Sequence, residues 1–360
     1  MYAKQIIERM ALMSHAPDTL DSRLIVHRAE VNSPSLGSAV AVSALENGQP
    51  PEVVFMHLDG GIGDRESLVN RKRTIALMTE AGLIPTDALH VSFSGGSSAF
   101  YTGAWESWVV DELPRWIHQQ FGVATARENL LLIGISGGGH GALKIAFKHP
   151  HSFKAVAALE PVIMPSLSWP EQHTRASWWL LEPSARAVWG EPFPESFLEN
   201  HPPNLAMARA HQLRASGLDI YLEAGDEDLL MLQDGAEFLH RVLWKQDIPH
   251  EFHQVRWADH GGHSIDDRFI EAMAFLHASY KGGKKQSRSL ELSAGEQRFV
   301  DYVLGGGPTK GEPMPAEASQ GTVETELSVM ARLWEPLREI AASRDPAMAR
   351  HYGPIPPIAD

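Results

Sequence analysis

A single serine stands at a crowded point of the stretch LLLIGISGGGHGALKIAF, residues 130–147. Ser136 lies between Gly134 and Gly138, in the pattern G-x-S-x-G. An apolar run, Leu130 to Ile133, precedes it, and Ala142, Leu143, Ile145, Ala146 and Phe147 follow at helical spacing. A strand that turns at once into a helix needs glycine where side chains would collide. The bend lifts the serine hydroxyl above the sheet edge, and the N–H groups that follow sit at a helix N-terminus, where they favour developing negative charge. Those residue types in that order suit nucleophilic attack by the Ser136 hydroxyl on a carbonyl carbon.

A serine hydroxyl is a weak nucleophile without a base. The base is expected late in the chain and its orienting acid between the two. The strand-like LDIYLEAG ends in Asp226-Glu227-Asp228, and ADHGGHS, residues 258–264, holds two histidines ahead of a helix pattern. His263 is the expected base, because the glycines before it let the ring reach back over Ser136. His260, on the same loop, is the alternative. Asp228, three residues after Gly225, is the expected acid, with Asp226 as its rival and Glu160 as a third choice at the end of the strand after the serine helix. For Glu160 a pocket role or a structural hydrogen bond is the stronger expectation.

An acyl-transfer site also needs donors for the oxyanion. FMHLDGGIGD, residues 55–64, follows a strand, and Gly60 and Gly61 permit close backbone approach to a substrate oxygen. The Gly61 and Gly137 N–H groups are the expected pair. His250, His253, His260 and His263 fall close together, and Asp259 could join them as a metal site. His250 and His253 are three apart in a strand pattern, however, and so point to opposite faces. No metal and no cofactor is expected.

These residues need a scaffold that brings them to one edge. Strand-like runs occur at 24–31, 38–45, 53–58, 89–93, 130–135, 156–159, 218–223 and 250–256. Helical patterns occur at 2–14, 66–82, around Trp105 to Trp116, at 138–148, 233–245 and 264–279. Strands in series followed by alternating strand and helix predict a mostly parallel α/β sheet covered on both faces. Residues 164–215 break the rhythm as a Trp- and Pro-rich insertion. In it Trp169 and Trp178, with Trp179 and Trp189, either wall an apolar acyl pocket or pack a helical cap. KGGKKQSRS then reads as a linker, so residues 1–280 form the expected catalytic domain and 281–360 a helical extension. The amphipathic stretch 322–343, with Leu327, Met330, Leu333, Trp334, Leu337 and Ile340, would dock on a second subunit or on its own domain.

The bulk composition fits that scaffold. A chain of 360 residues with 43% hydrophobic and 21% charged residues is ordinary for a globular protein. A net charge of −14 argues against nucleic acid or an anionic membrane as partner. Without cysteine there is no disulfide and no thiolate chemistry. The N-terminus lacks a continuous apolar run, and no segment approaches the ~18 apolar residues of a membrane span, so a cytoplasmic location is expected.

SGGGHGALKIAFKHPHSFKAVAAL resembles the esterase D group of α/β-hydrolases, which includes S-formylglutathione hydrolases and mycolyltransferases; Ser136 to Leu143 fits that group's elbow pattern. VNSPSLGSAVAV, the LDGG loop and FYTGAWESWVVDELPRWI match as well, so the likeness covers roughly residues 20–280. It departs at Ile135, Gly137 and Glu160. The resemblance implies an α/β-hydrolase fold and a serine esterase acting through an acyl-enzyme on a small ester, with His140 as a helix residue that packs or orients the elbow. The order Ser136, Asp228, His263 is that of the α/β-hydrolase triad. Acyl transfer to an alcohol or sugar would use the same machinery. A non-catalytic binding protein of the same fold is the alternative outside catalysis.

Overall fold

The structure is a computed structural model that describes residues 23–282, apart from 62, 94, 97–99, 170–174, 176–181 and 263. The chain divides into two compact units, Met1–Gly283 and Lys284–Asp360. The patterns read at 2–14 and 322–343 lie outside the described residues.

Eight strands form one sheet: β1 (Ile25–Ser33), β2 (Ser38–Glu46), β3 (Val53–Leu58), β4 (Ala88–Phe93), β5 (Leu130–Ile135), β6 (Ala155–Leu159), β7 (Asp219–Gly225) and β8 (Glu251–Val255). Their order is β1-β2-β4-β3-β5-β6-β7-β8. β1 pairs with β2 and β2 with β4 in antiparallel fashion, and every other pair is parallel. The central strands are buried, apart from a half-buried Ile135 at the end of β5, because helices cover both faces. The period of two then splits each strand. Val54, Met56 and Leu58 of β3 enter one core, whereas Val53 and Phe55 enter the other.

The helices are α1 (Glu66–Asn70), α2 (Lys72–Glu80), α3 (Ala104–Ser107), α4 (Leu113–Phe121), α5 (Gly137–Lys148), α6 (Glu182–Trp189), α7 (Glu195–Asn200), α8 (Pro202–Ala208), α9 (Ala210–Ser216), α10 (Leu232–Lys245) and α11 (Ile265–Tyr280). α5 lies in the first core, with Leu143 and Phe147 fully buried, and α11 lies in the second through Phe269, Met273 and Leu276. The helix expected over 66–82 is two helices broken at Arg71, whose φ of −92° and ψ of 8° leave the helical range. α3 runs into α4 through a π-helical turn at Trp108–Glu112. The insertion contributes α6 to α9 and a third, aromatic-rich cluster around Trp189 and Phe197. No helix among the described residues is long and apolar enough to cross a membrane.

Because β3, β5, β6, β7 and β8 run parallel and adjacent, their carboxyl ends share one edge. The loops after them carry Gly60, Ser136, Glu160, Asp228 and His260 respectively. Ligand sites of open α/β sheets form at that edge.

Candidate active site

Ser136 follows β5 with φ 57° and ψ −121°, a strained conformation for a residue with a side chain. The surroundings enforce it. A Cβ at Gly134 would overlap the Gly138 carbonyl oxygen, and one at Gly138 would lie 2.6 Å from the Leu58 carbonyl carbon. Only glycine fits at either position. The Ser136 N–H donates to Leu159 O at 2.9 Å, and Ser136 O accepts from His140 N–H at 3.1 Å and Val162 N–H at 3.2 Å. A serine at a helix N-cap commonly turns its hydroxyl onto the helix N–H groups. Ser136 makes no such cap bond, so its hydroxyl stays available at the sheet edge. Gly137, expected to donate to an oxyanion, opens α5 as its first residue.

The loop after β3 passes close to that hydroxyl. A Cβ on Gly60 would sit 3.0 Å from Ser136 Cβ and 3.6 Å from Ser136 Oγ, whereas one on Gly61 meets nothing within 4 Å. Asp59 anchors the loop from below. Its carboxylate accepts from Ser92 Oγ at 3.0 Å, and its carbonyl accepts from the Tyr101 hydroxyl at 2.8 Å. Burial pushes the Asp59 carboxyl up to about 7 despite the opposing Ser92 bond and Arg71 charge.

On the other side of Ser136 the acids separate. Asp226 accepts the Trp257 N–H at 2.6 Å and so holds the β8 loop in place. Asp228 is 1% exposed. Its Oδ1 accepts the Leu230 N–H at 2.7 Å, and its Oδ2 lies 2.9 Å from His260 Nδ1. The histidine that meets Asp228 is thus the alternative of the two; His263 lies outside the described residues. Two carboxylates face Nδ1, since Glu160 Oε2 is also 3.2 Å away. Asp228 accepts the hydrogen bond, so Nδ1 carries the proton and Nε2 is the basic nitrogen of the neutral ring. Burial disfavours the imidazolium, but the Asp228 bond and the charges of Glu160 and Asp228 outweigh it. His260 therefore titrates above the ordinary histidine value, with Arg268 opposing.

Glu160 is fully buried and has φ 46°. Its oxygens accept from Gly261 N–H at 3.0 Å and from Arg268 Nη1. Arg268 Nη1 also donates to Glu223 at 3.1 Å, and Nη2 to Asp259 O at 2.8 Å. Arg268 and Glu223 went unremarked in the sequence, though both left a trace. Arg268 falls three residues after Ile265 and four before Ala272, on the apolar stripe of α11, and Glu223 interrupts the otherwise apolar end of β7. A charge of each sign on a buried face points to a buried ion pair.

The donor atoms of Glu160, Asp228 and His260 lie within 4.8 Å of one another, the one set among the described residues close enough to share a metal ion. The Arg268 guanidinium already neutralises Glu160, and Nδ1 faces the carboxylates as a donor. His250 instead meets His240 at 2.8 Å, and His253 meets Glu251 at 3.3 Å.

Trp169 packs edge-on against Trp189, Phe193 and Phe197, with ring centroids 5.1–6.0 Å apart. Trp178 lies outside the described residues. His140 is buried beneath the elbow, where its Nδ1 donates to Val162 O at 2.7 Å and its ring meets Phe100 at 5.0 Å. Burial pushes it down to about 3, so it is a neutral strut.

Among solved structures the fold is similar to a ferulic acid esterase (TM-score 0.58, 18% identity), covering 72% of this chain and 99% of that one. It is also similar to an S-formylglutathione hydrolase from Agrobacterium tumefaciens (0.54, 18%, 71% and 95%). A third neighbour is FphF, a fluorophosphonate-binding serine hydrolase of Staphylococcus aureus (0.52, 18%, 70% and 98%). These likenesses establish an α/β-hydrolase fold. In sequence, 86 residues are 37% identical to the S-formylglutathione hydrolase of Mus musculus, and the match spans 30% of that relative's length and 21% of this chain. The family model described as "Putative esterase" matches residues 93–280, just over half of the chain and the whole stretch from the end of β4 through the serine elbow to α11, and the chain belongs to this esterase family.

Proposed function

We propose that the protein hydrolyses carboxylic esters through an acyl-enzyme, with Ser136 as nucleophile, His260 as base and Asp228 as the acid that orients it. The observation that carries this reading is the 2.9 Å contact between His260 Nδ1 and the buried Asp228 carboxylate, at the edge where the strained elbow presents Ser136. His260 takes the place of His263 in the assignment because, among the described residues, it is the histidine against Asp228. Nε2 takes the Ser136 proton as the hydroxyl attacks the ester carbonyl. The Gly61 and Gly137 N–H groups receive the oxyanion, Nε2 returns the proton to the leaving alcohol, and water repeats the cycle on the acyl-enzyme. The Asp228 charge stabilises the imidazolium that forms at each step.

The test is labelling by a fluorophosphonate together with hydrolysis of aryl and acyl esters of graded chain length. Feruloyl esters and S-formylglutathione belong in the panel, because neighbours are named for them. Ser136→Ala should abolish labelling, and Ser136→Ala and His260→Ala should each lower kcat by about 10⁴-fold or more. His263→Ala should stay within about tenfold of the parent, a change of ~1.4 kcal/mol or less in barrier. The opposite ranking of the two histidine variants would refute the assignment.

A further inference from the structure

We propose that Glu160 is a positioning residue for the catalytic imidazole: a second carboxylate set beside Asp228 on His260 Nδ1 and held there by Arg268. This rests on the assignment of His260 as the base.

The argument begins with what Glu160 gives up. It is a non-glycine residue at positive φ, and its carboxylate is fully buried. Both features are unfavourable unless specific partners compensate. Those partners converge on one short loop. Glu160 accepts the N–H of Gly261, the residue after His260, and Arg268, ion-paired to Glu160, donates to the carbonyl of Asp259, the residue before it. The peptides on both sides of the histidine are therefore tied to one buried ion pair. The third contact of Glu160 is the imidazole itself, Oε2 to Nδ1 at 3.2 Å, against 2.9 Å for Asp228. Nδ1–H is thus hydrogen-bonded to Asp228, with the Glu160 carboxylate at ion-pair distance beside it.

The charges agree with that geometry. Among the described residues three charged groups face His260: Asp228 from the loop after β7, Glu160 from the end of β6, and Arg268 from α11. Glu160 faces Arg268, His260 and Asp228, and Glu223 of β7 completes the cluster. Burial pushes both carboxyls up, Glu223 to about 8, and the Arg268 charge opposes it at each. The Glu160 charge favours the imidazolium, as Asp228 does.

Two carboxylates on one nitrogen make the site tolerant to loss of either. In a triad with a single acid, Asp→Asn leaves the wrong tautomer and lowers kcat by about 10⁴-fold. Here Asp228→Asn should lower kcat by only about 10–100-fold, because the Glu160 carboxylate, 3.2 Å from Nδ1, is placed to take over as acceptor. Glu160→Gln keeps an acceptor for the Gly261 N–H but removes the charge. It should lower kcat less than about tenfold with KM unchanged, and move the acid limb of kcat/KM to lower pH. The double variant should show the full loss of about 10⁴-fold, more than the two single effects combined. The His260 pKa, read by NMR in a Ser136→Ala background, should fall in Glu160→Gln.

An Asp228→Asn variant that alone loses about 10⁴-fold would overturn the proposal, and this readout does not depend on whether Glu160→Gln folds. A double variant no worse than Asp228→Asn would also overturn it, as would an unchanged His260 pKa in folded Glu160→Gln. Ester hydrolysis that survives Ser136→Ala would instead show that the catalytic assignment had failed, and the His260 titration would still decide the role of Glu160.

Discussion

A methyl group added at Gly60 meets Ser136 Cβ and Ile135 O at 3.0 Å, whereas one added at Gly61 meets nothing within 4 Å. Adjacent positions in the proposed oxyanion loop should therefore respond differently. Gly60→Ala must push the loop away from the nucleophile, and kcat should fall by about 10–100-fold, the cost of a misaligned donor. Gly61→Ala keeps the N–H and its space, and should stay within about threefold in kcat, a change well under 1 kcal/mol. Kinetics on the two variants, with melting curves to confirm folding, check this. His260 sets a second expectation. Its neutral form is the proposed base, and the carboxylates around it raise its pKa above the ordinary 6.5. The kcat/KM profile should therefore rise with pH through an apparent pKa above 6.5 and flatten on the alkaline side. A midpoint below the ordinary value would contradict the two-carboxylate environment. At this scale the sequence was only partly legible. G-x-S-x-G marks Ser136 because the collision that excludes a side chain at Gly134 is local, with the Gly138 carbonyl, although Gly138 itself is constrained by the distant Leu58. The contact of His260 with Asp228 follows from a path that spacing does not encode: Trp257 turns with φ 62°, its N–H is caught by Asp226, and Gly261 is caught by Glu160.

The nucleophile helix α5 is held by more than its apolar face. Glu106 of α3 meets Lys144 and Lys148 of α5 at 3.3 and 3.1 Å, and His149 just beyond its end at 2.8 Å. Lys144 is fully buried and also donates to Tyr101 O, while the Tyr101 hydroxyl braces the Asp59 carbonyl before Gly60. One carboxylate thereby ties α3, the elbow helix and the oxyanion loop together. Burial alone would raise Glu106, but His149, Lys144 and Lys148 outweigh it and hold the carboxyl well below the usual range. A depressed folded-state pKa gives stability that is present above the unfolded value and lost as pH falls through the folded one. Glu106→Gln should thus lower stability at neutral pH by about 1–3 kcal/mol, read as a lower Tm, because the group is only partly buried and the ion pairs partly screened. The difference from the parent should shrink as pH falls below about 4, the range in which free glutamate takes up its proton. A Tm difference constant with pH would mean that the charge is not what binds the two helices. Elements were legible where pattern and punctuation coincide. Val53–Leu58 and Leu130–Ile135 occupy the stretches read from their apolar runs, each closed by glycine or by a polar turn. The break at Arg71 and the π turn at Trp108–Glu112 left no mark, because apolar spacing continues through both. The ion pairs that join elements are long-range, and periodicity carries nothing about them.

Across the molecule, the proposed site draws on five strand ends, from Leu58 to Val255, and on α11, whose Arg268 reaches the cluster beneath His260. All of these lie within the unit Met1–Gly283, and the family match ends at residue 280. α11 also closes the second core, since Phe269, Met273 and Leu276 cover Val53, Phe55, Leu131 and Ile133. Both faces of the sheet are therefore covered before residue 284, which is the condition for a unit to fold as a domain. A chain ending at Gly283 should melt in a single cooperative transition and keep the proposed ester hydrolysis within about threefold in kcat/KM, a barrier change under 1 kcal/mol. A chain ending at Ser264, before α11, should not fold, because it strips one face of the sheet and leaves Glu160 and Glu223 without their guanidinium. Calorimetry and ester kinetics on the two truncated chains separate these cases. A cooperative but inactive Gly283 chain would place an essential group in residues 284–360, and a failure to fold would make those residues part of the core.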